Sequence, residues 1–305
     1  MTLDAASAAA RSSALVSVEE ERGVLLVSGS ERATWLNGVV TSDVTRALPG
    51  SAVFGLLLNK VGKIQTDFYV LDRDGALALA LAPATEAPVH AELERMLVME
   101  DAELESATAE LVCVTLHGPR ARELGDGVAQ AQAGVTVAAL DRTGLGGAVL
   151  LVPRSRLEAV VRSLGAAGAP AATAEERQRL FIERRLGSFG VDYGANDNPH
   201  EAGLDRAAVA WDKGCYLGQE VVFMQDARGK LKRRLVLLEL ESALPAPGSP
   251  ILGAAGEPLG EVTSSTVSSV LERSLALGRV KAPNFEPGVR LSVMGVPATV
   301  RAEPV

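Results

Sequence analysis

The chain has 305 residues, 47% of them hydrophobic and 4% aromatic, with Lys+Arg 30 against Asp+Glu 38 and a formal charge of −8. That length exceeds one ordinary core and suits two or three domains. The acidic balance opposes a long track for a phosphate backbone, and so few aromatics leave little on which unpaired bases could stack, so nucleic acid is not an expected partner.

Residues 1–18 are rich in Ala and Ser, lack a basic n-region and an apolar run of signal length, and read as a frayed tail. No segment approaches the roughly 18–20 apolar residues of a membrane span, so no membrane partner is expected and a reducing cytoplasm is the expected location. Two cysteines, Cys113 and Cys215, are too few for a closed zinc or iron–sulfur site within one chain. No resident metal is expected.

A β-branched run over 23–28 precedes a helix over 31–36, with Ser30 placed to cap it. Strands over 52–58 and 64–71 are joined by the turn Asn59-Lys60-Val61-Gly62-Lys63. A strand over 76–81 ends near Pro83, and 86–97 has helical spacing with Val89, Leu93 and Leu97 on one face. This β-β-β-α order predicts a sheet with helices against one side. The run 109–117 is a strand, stopped by Gly118-Pro119, with Cys113 as an inert core thiol. A helix over 120–131, a strand over 149–152, a helix over 156–164, a loose linker over 165–173 and a helix over 174–186 follow. After Arg234, short strands at 235–240, 260–266, 275–280 and 290–293, separated by Pro/Gly turns, predict a small antiparallel barrel. The predicted class is α+β, with a boundary near Arg234.

Between Asn196 and Arg234 the chain is polar, glycine-containing and aromatic by turns, which suits a site better than a core. Its centre is Lys213-Gly214-Cys215-Tyr216-Leu217-Gly218-Gln219-Glu220. A helix starting near Gly218 would bring unpaired N–H groups towards the thiol, and Lys213 also favours the thiolate, whereas Asp212 and Glu220 oppose it. The direction of the shift stays open. His90, His117 and His200 lie in unrelated segments, so no Cys–His dyad is expected. Arg228-Gly229-Lys230-Leu231-Lys232-Arg233-Arg234 carries five basic residues in seven and suits either a solvated face or an anionic ligand.

The 213–220 segment resembles the signature of the YgfZ-type folate-binding proteins, relatives of the aminomethyltransferase T-protein of the glycine cleavage system. Other segments carry the same resemblance. Trp35-Leu36-Asn37-Gly38-Val39-Val40-Thr41-Ser42-Asp43-Val44 is similar to the family's "FLQGxxTNDV", and 59–63 to its "NxxGK" turn. Pro199-His200-Glu201 with Leu204-Asp205 is similar to "PxExxLD", and Arg228-Gly229 with Lys232-Arg233 falls where the family has "RGxxKR". Phe181-Ile182-Glu183-Arg184-Arg185 departs from "RIEAG". Thr66 and Asp67 stand where T-proteins have two aspartates.

The resemblance implies a T-protein-like folate-binding region over 1–234, built of two intertwined subdomains, and a C-terminal β-barrel over 235–305. It implies tetrahydrofolate as the cofactor, bound through Asn59, Asp67, Glu183, Glu201, Tyr216, Gln219 and Arg228, with Glu183 towards the pterin and the basic run towards the glutamate tail. Cys215 and Lys213 would carry the chemistry. The implied function is support of iron–sulfur cluster assembly or repair, with assembly proteins or client iron–sulfur enzymes as partners, and not conventional catalysis. The alternative is a tetrahydrofolate-dependent aminomethyl transferase of the T-protein type, with Cys215 incidental. A tRNA-modification role, also attached to the family, suits neither the charge nor the aromatic content.

Overall fold

The computed structural model describes residues 4–305. In chain order the elements are α1 (Ala5–Ser12), β1 (Leu15–Glu19), β2 (Gly23–Ser28), α2 (Arg32–Asn37), β3 (Ala52–Leu58), β4 (Ile64–Arg73), β5 (Ala76–Leu81), α3 (Glu86–Met96) and β6 (Glu103–Ser106). They continue with β7 (Leu111–His117), α4 (Ala121–Ala131), β8 (Thr136–Ala139), β9 (Gly147–Pro153), α5 (Leu157–Ala166), α6 (Ala174–Glu183) and α7 (Gln219–Arg228). Six strands close the chain: β10 (Arg233–Leu240), β11 (Pro250–Leu252), β12 (Pro258–Val267), β13 (Ser274–Lys281), β14 (Arg290–Val293) and β15 (Val296–Val300).

Two sheets lie face to face, a five-stranded one in the order β3-β4-β5-β2-β6 and a four-stranded one in the order β1-β7-β9-β8. Period-2 alternation sorts their side chains. In β4, Tyr69 and Leu71 join Cys113, Val149 and Leu151 of the other sheet in an inner core. Phe68 and Val70 point to the outer side, where Trp35 and Leu36 of α2 and Val89 and Leu93 of α3 cover them. The outer face of the second sheet, with Val112, Val114 and Leu116, packs against α4 and α5. Helices therefore flank both sheets, one layer on each outer face.

The last six strands form a closed antiparallel barrel, β10-β13-β12-β11-β14-β15, filled by residues such as Val236, Leu238, Ile251 and Ala276. It is fastened to the rest by Asp192, whose carboxylate accepts from Thr263 Oγ1 at 2.6 Å and Ser264 Oγ at 2.7 Å, and by Asp197, which pairs with Arg233 at 2.7 Å.

The N-terminal segment is not a frayed tail. Asp4 caps α1 by accepting from Ser7 N at 2.9 Å, Ala6, Ala10 and Leu15 are buried with Leu180, and β1 pairs antiparallel with β7. Short alanine helices are marginal alone and gain their stability from packing, which composition does not reveal. Ser30 does not cap α2; its hydroxyl donates to Asp101. β6, β8, β11 and β15 are additional strands, none longer than five residues, whose periodicity is too brief to register.

Candidate functional site

A cavity of about 710 Å³ opens where the β1–β2 turn, α6, the segment after α6 and the rim of the barrel meet. Its floor is an ionic cluster. Alternation on β1 turns Ser17 and Glu19 inward, opposite Thr115 and Cys113 of β7. Arg22 then folds back from the turn: it meets Glu19 Oε2 at 2.5 Å, Asp67 Oδ1 at 2.9 Å and Ala80 O at 3.2 Å, and lies 4.4 Å over the Tyr69 ring. The small Ala78 and Ala80 of β5, both fully buried in the inner core, leave room for it. Asp67 Oδ2 accepts from the Tyr193 hydroxyl at 2.5 Å, so both carboxylate oxygens are held.

Electrostatics follow from this packing. Burial alone would raise the Glu19 pKa, but Arg22, Arg177 and the Thr115 hydroxyl together bring it down to about 2. Burial, followed by the Asp67 charge, lifts Tyr193 well above its usual range, so its hydroxyl remains a donor. His117 stays neutral, pushed down to about 4 first by burial, then by Arg177 and Arg142 against the opposing pull of Glu19. The same alternation sends Thr66 away from the cavity, to bond with Thr85 at 2.7 Å. Of the Thr66/Asp67 pair, only Asp67 faces the cavity.

A second assembly lies at the surface around Cys215. Thr41 donates to Ala208 O at 2.6 Å, and Lys213 Nζ donates to Val40 O at 2.7 Å and Ser42 O at 2.8 Å, so the 35–44 and 213–220 segments are tied together. Burial brings the Lys213 amine down to about 8, against the opposing Asp43 charge. Gly218 sits at φ +81°, and a Cβ there would stand 2.7 Å from Asn59 O, so the turn 59–63 packs directly on the start of α7. Cys215 is a free, exposed thiol in this loop, whereas Cys113 is buried and its thiol is pushed far up by desolvation.

The residues singled out from sequence divide between these places. Asn59 spends its side chain on the turn, accepting from Val61 N and Lys63 N, and Glu201 accepts from Lys63 Nζ at 3.2 Å. Tyr216 is buried beside Lys213 with its hydroxyl unpartnered, burial raising it to about 12, and Gln219 opens α7. Arg228 ends α7 fully in solvent-facing surroundings. Glu183 is buried but bonds Ser268 at 2.7 Å, with its pKa raised by burial, and it is not a lining residue of the cavity. Neither are Asn59 and Arg228; Asp67 alone of the set lines it.

Sequence reasoning missed Glu19, Arg22, Arg142, Arg177 and Tyr193. The signal available was Glu19-Glu20-Glu21-Arg22, a charge run directly after a β-branched stretch. The three histidines have other partners: His117 bonds Thr115 at 3.1 Å, His200 meets Asp226 at 3.4 Å and His90 meets Glu94 at 3.7 Å.

The chain matches the GCVT N-terminal domain model over residues 4–154 and the glycine cleavage T-protein C-terminal barrel domain over 233–305. It is 31% identical to an aminomethyltransferase of Synechococcus sp. (strain RCC307), covering 89% of this chain and 80% of that protein. It is 30% identical to the aminomethyltransferase of Thermosynechococcus vestitus, covering 92% and 82%. In fold it is similar to the glycine cleavage system aminomethyltransferase T of Bartonella henselae, with TM-score 0.82 at 20% identity over 97% of this chain and 87% of that one. With both of its domains and most of a relative's length matched, the chain belongs to the glycine cleavage T-protein, or aminomethyltransferase, family.

Proposed function

We propose that this chain binds tetrahydrofolate in the central cavity and handles a one-carbon unit there, as the names of its relatives suggest. The observation that carries the reading is Asp67, a carboxylate with both oxygens fixed by Arg22 and Tyr193 on the wall of a 710 Å³ cavity. The volume lies within the range of small-molecule sites, about 300–1,000 Å³. Three buried polar atoms on the lining, Ser17 Oγ, Arg142 Nη2 and Arg177 Nε, have no partner among the described residues. Buried polar atoms are normally satisfied, so such a set suits a ligand rich in hydrogen-bonding groups, as a folate is.

When bound, tetrahydrofolate supplies the nitrogens that accept a one-carbon unit. The chain's part is electrostatic and positional. Asp67 offers a fixed negative charge to a centre that becomes cationic, Tyr193 and Arg22 prevent the carboxylate from turning away, and Phe181 and Phe189 give the cavity apolar walls. Calorimetry with tetrahydrofolate tests binding, and absence of heat at millimolar ligand removes the proposal. Asp67→Asn should then retain binding and lose one-carbon release to tetrahydrofolate. Full transfer activity in that variant would remove Asp67 from the chemistry.

A second reading, the YgfZ-type role in iron–sulfur cluster assembly or repair, is favoured by Cys215, an exposed thiol where three of the motif segments converge outside the cavity. It predicts that Cys215→Ser keeps folate affinity and fails to restore iron–sulfur enzyme activity in cells lacking the gene, because a hydroxyl is a poor ligand for iron. Full rescue by Cys215→Ser, with transfer abolished by Asp67→Asn, leaves the transferase reading alone.

A further inference from the structure

The cationic groups near the cavity are not equivalent. Arg22 is fully engaged by Glu19, Asp67 and Ala80 O. In the basic run, Arg233 pairs with Asp197 and Arg234 with Asp205, Arg228, Lys230 and Lys232 are exposed, and none of the five lines the cavity. Arg142 lines it and forms no hydrogen bond or ion pair among the described residues, and its Nη2 is buried. Its guanidinium is nevertheless fixed, stacked 3.4 Å from the centroid of the Phe54 ring.

The neighbouring acid is not its partner. Asp141 spends its carboxylate on the loop, accepting from Thr143 N at 2.9 Å, Gly144 N at 2.8 Å and Gly146 N at 2.9 Å. Arg177, on the lining of the same cavity, reaches Glu19 at 3.3 Å with one nitrogen and leaves buried Nε unpaired. Arg142 and Arg177 both line this cavity. The remaining lining acids stand apart: Glu20 and Glu21 are exposed at the rim, and Asp192 is held by Thr263 and Ser264 of the barrel. Glu19 and Asp67 share Arg22, with Arg177 also on Glu19, so Arg142 is the positive charge left uncompensated on this wall.

We infer that Arg142, assisted by Arg177, is an anion subsite inside the cavity that takes a carboxylate of the bound ligand. In a folate this is the glutamyl tail, an assignment that rests on the folate reading above and moves the tail from the 228–234 run to the cavity wall. A stacked, planar guanidinium with an unpaired edge matches a carboxylate in bidentate geometry, and an unpaired buried donor is costly until such a partner arrives.

The test uses three probes by calorimetry: tetrahydrofolate, p-aminobenzoylglutamate, which carries the tail without the pterin, and a tetrahydropterin without the tail. Arg142→Gln should weaken the first two about tenfold to a hundredfold, the usual loss for a charge-assisted bond, and leave the third unchanged. Arg142→Lys, which keeps the charge but not the fork, should fall between. Because Arg142 has no polar partner among the described residues, both variants should melt within a few degrees of wild type, the difference reflecting the altered stacking on Phe54. Equal losses for all three probes, or no loss for the glutamyl ones, overturn the subsite. Binding of p-aminobenzoylglutamate that depends on Arg142, without binding of tetrahydrofolate, would sink the folate reading and keep the subsite. Binding of none of the probes sinks both.

Discussion

Replacing Arg22 by Leu should be among the most damaging single changes in the molecule, because one buried guanidinium serves two buried carboxylates. Its side chain is 6% exposed, as is that of Glu19, and that of Asp67 is 3% exposed. Without it, Asp67 retains only the Tyr193 hydroxyl as a side-chain partner, and Glu19 keeps Thr115 at 2.7 Å and Arg177 at 3.3 Å. Removing one partner of a buried ion pair costs about 3–5 kcal/mol, since the other charge is left desolvated. Urea unfolding followed by fluorescence of Trp35 and Trp211 should show that loss at pH 7.

A pH signature accompanies it. In the variant, Glu19 loses the largest of the charges that hold its carboxyl down to about 2, so its pKa moves back up towards the unfolded value. The stability that this depressed pKa gives wild type is fully present above about 4.5 and is lost as pH falls towards 2, so the gap between wild type and variant narrows over that window. Adding Asp67→Asn to Arg22→Leu should recover part of the loss, because the uncompensated charge is gone. A loss below about 1 kcal/mol, or a gap constant with pH, would refute the claim that the cluster is held by charge pairing.

Two further outcomes are expected. Native alkylation with peptide mapping should label Cys215 long before Cys113, as one thiol is exposed and the other is buried with a strongly raised pKa; equal rates would contradict the packing of β7. Wild-type stability should fall on acidification in two windows. His117 is neutral in the fold until about 4 against a usual 6.5, and Glu19 stays ionised to about 2 against a usual 4.5, so in both windows the unfolded chain binds the proton first. The upper window should flatten in His117→Gln, and an identical slope in that variant would exclude His117 as its source.

Much of the local structure was legible in the order of residues. Strands such as β3, β4 and β7 announce themselves through apolar runs, and the turn 59–63 through its glycine, because these depend on neighbours in sequence. The barrel was legible from short strands between Pro and Gly turns, although β11 and β15 were too short to count. The motif around Cys215 was visible as a glycine-flanked, polar interruption.

What the tertiary structure alone decided is which charged residues face one another. Glu19 and Arg22 are only part of a charge run in sequence until β1 pairs with β7 and the chain turns them onto Asp67, 45 residues beyond Arg22. Glu183 and Asp67 look equally suited to a ligand in sequence, yet one meets Ser268 on the barrel side and the other the cavity. Arg142 carries no sequence mark at all, since its importance lies in lacking a partner. Such placements depend on long-range packing, where sheet register decides which face a side chain takes, and a shift by one residue reverses every assignment.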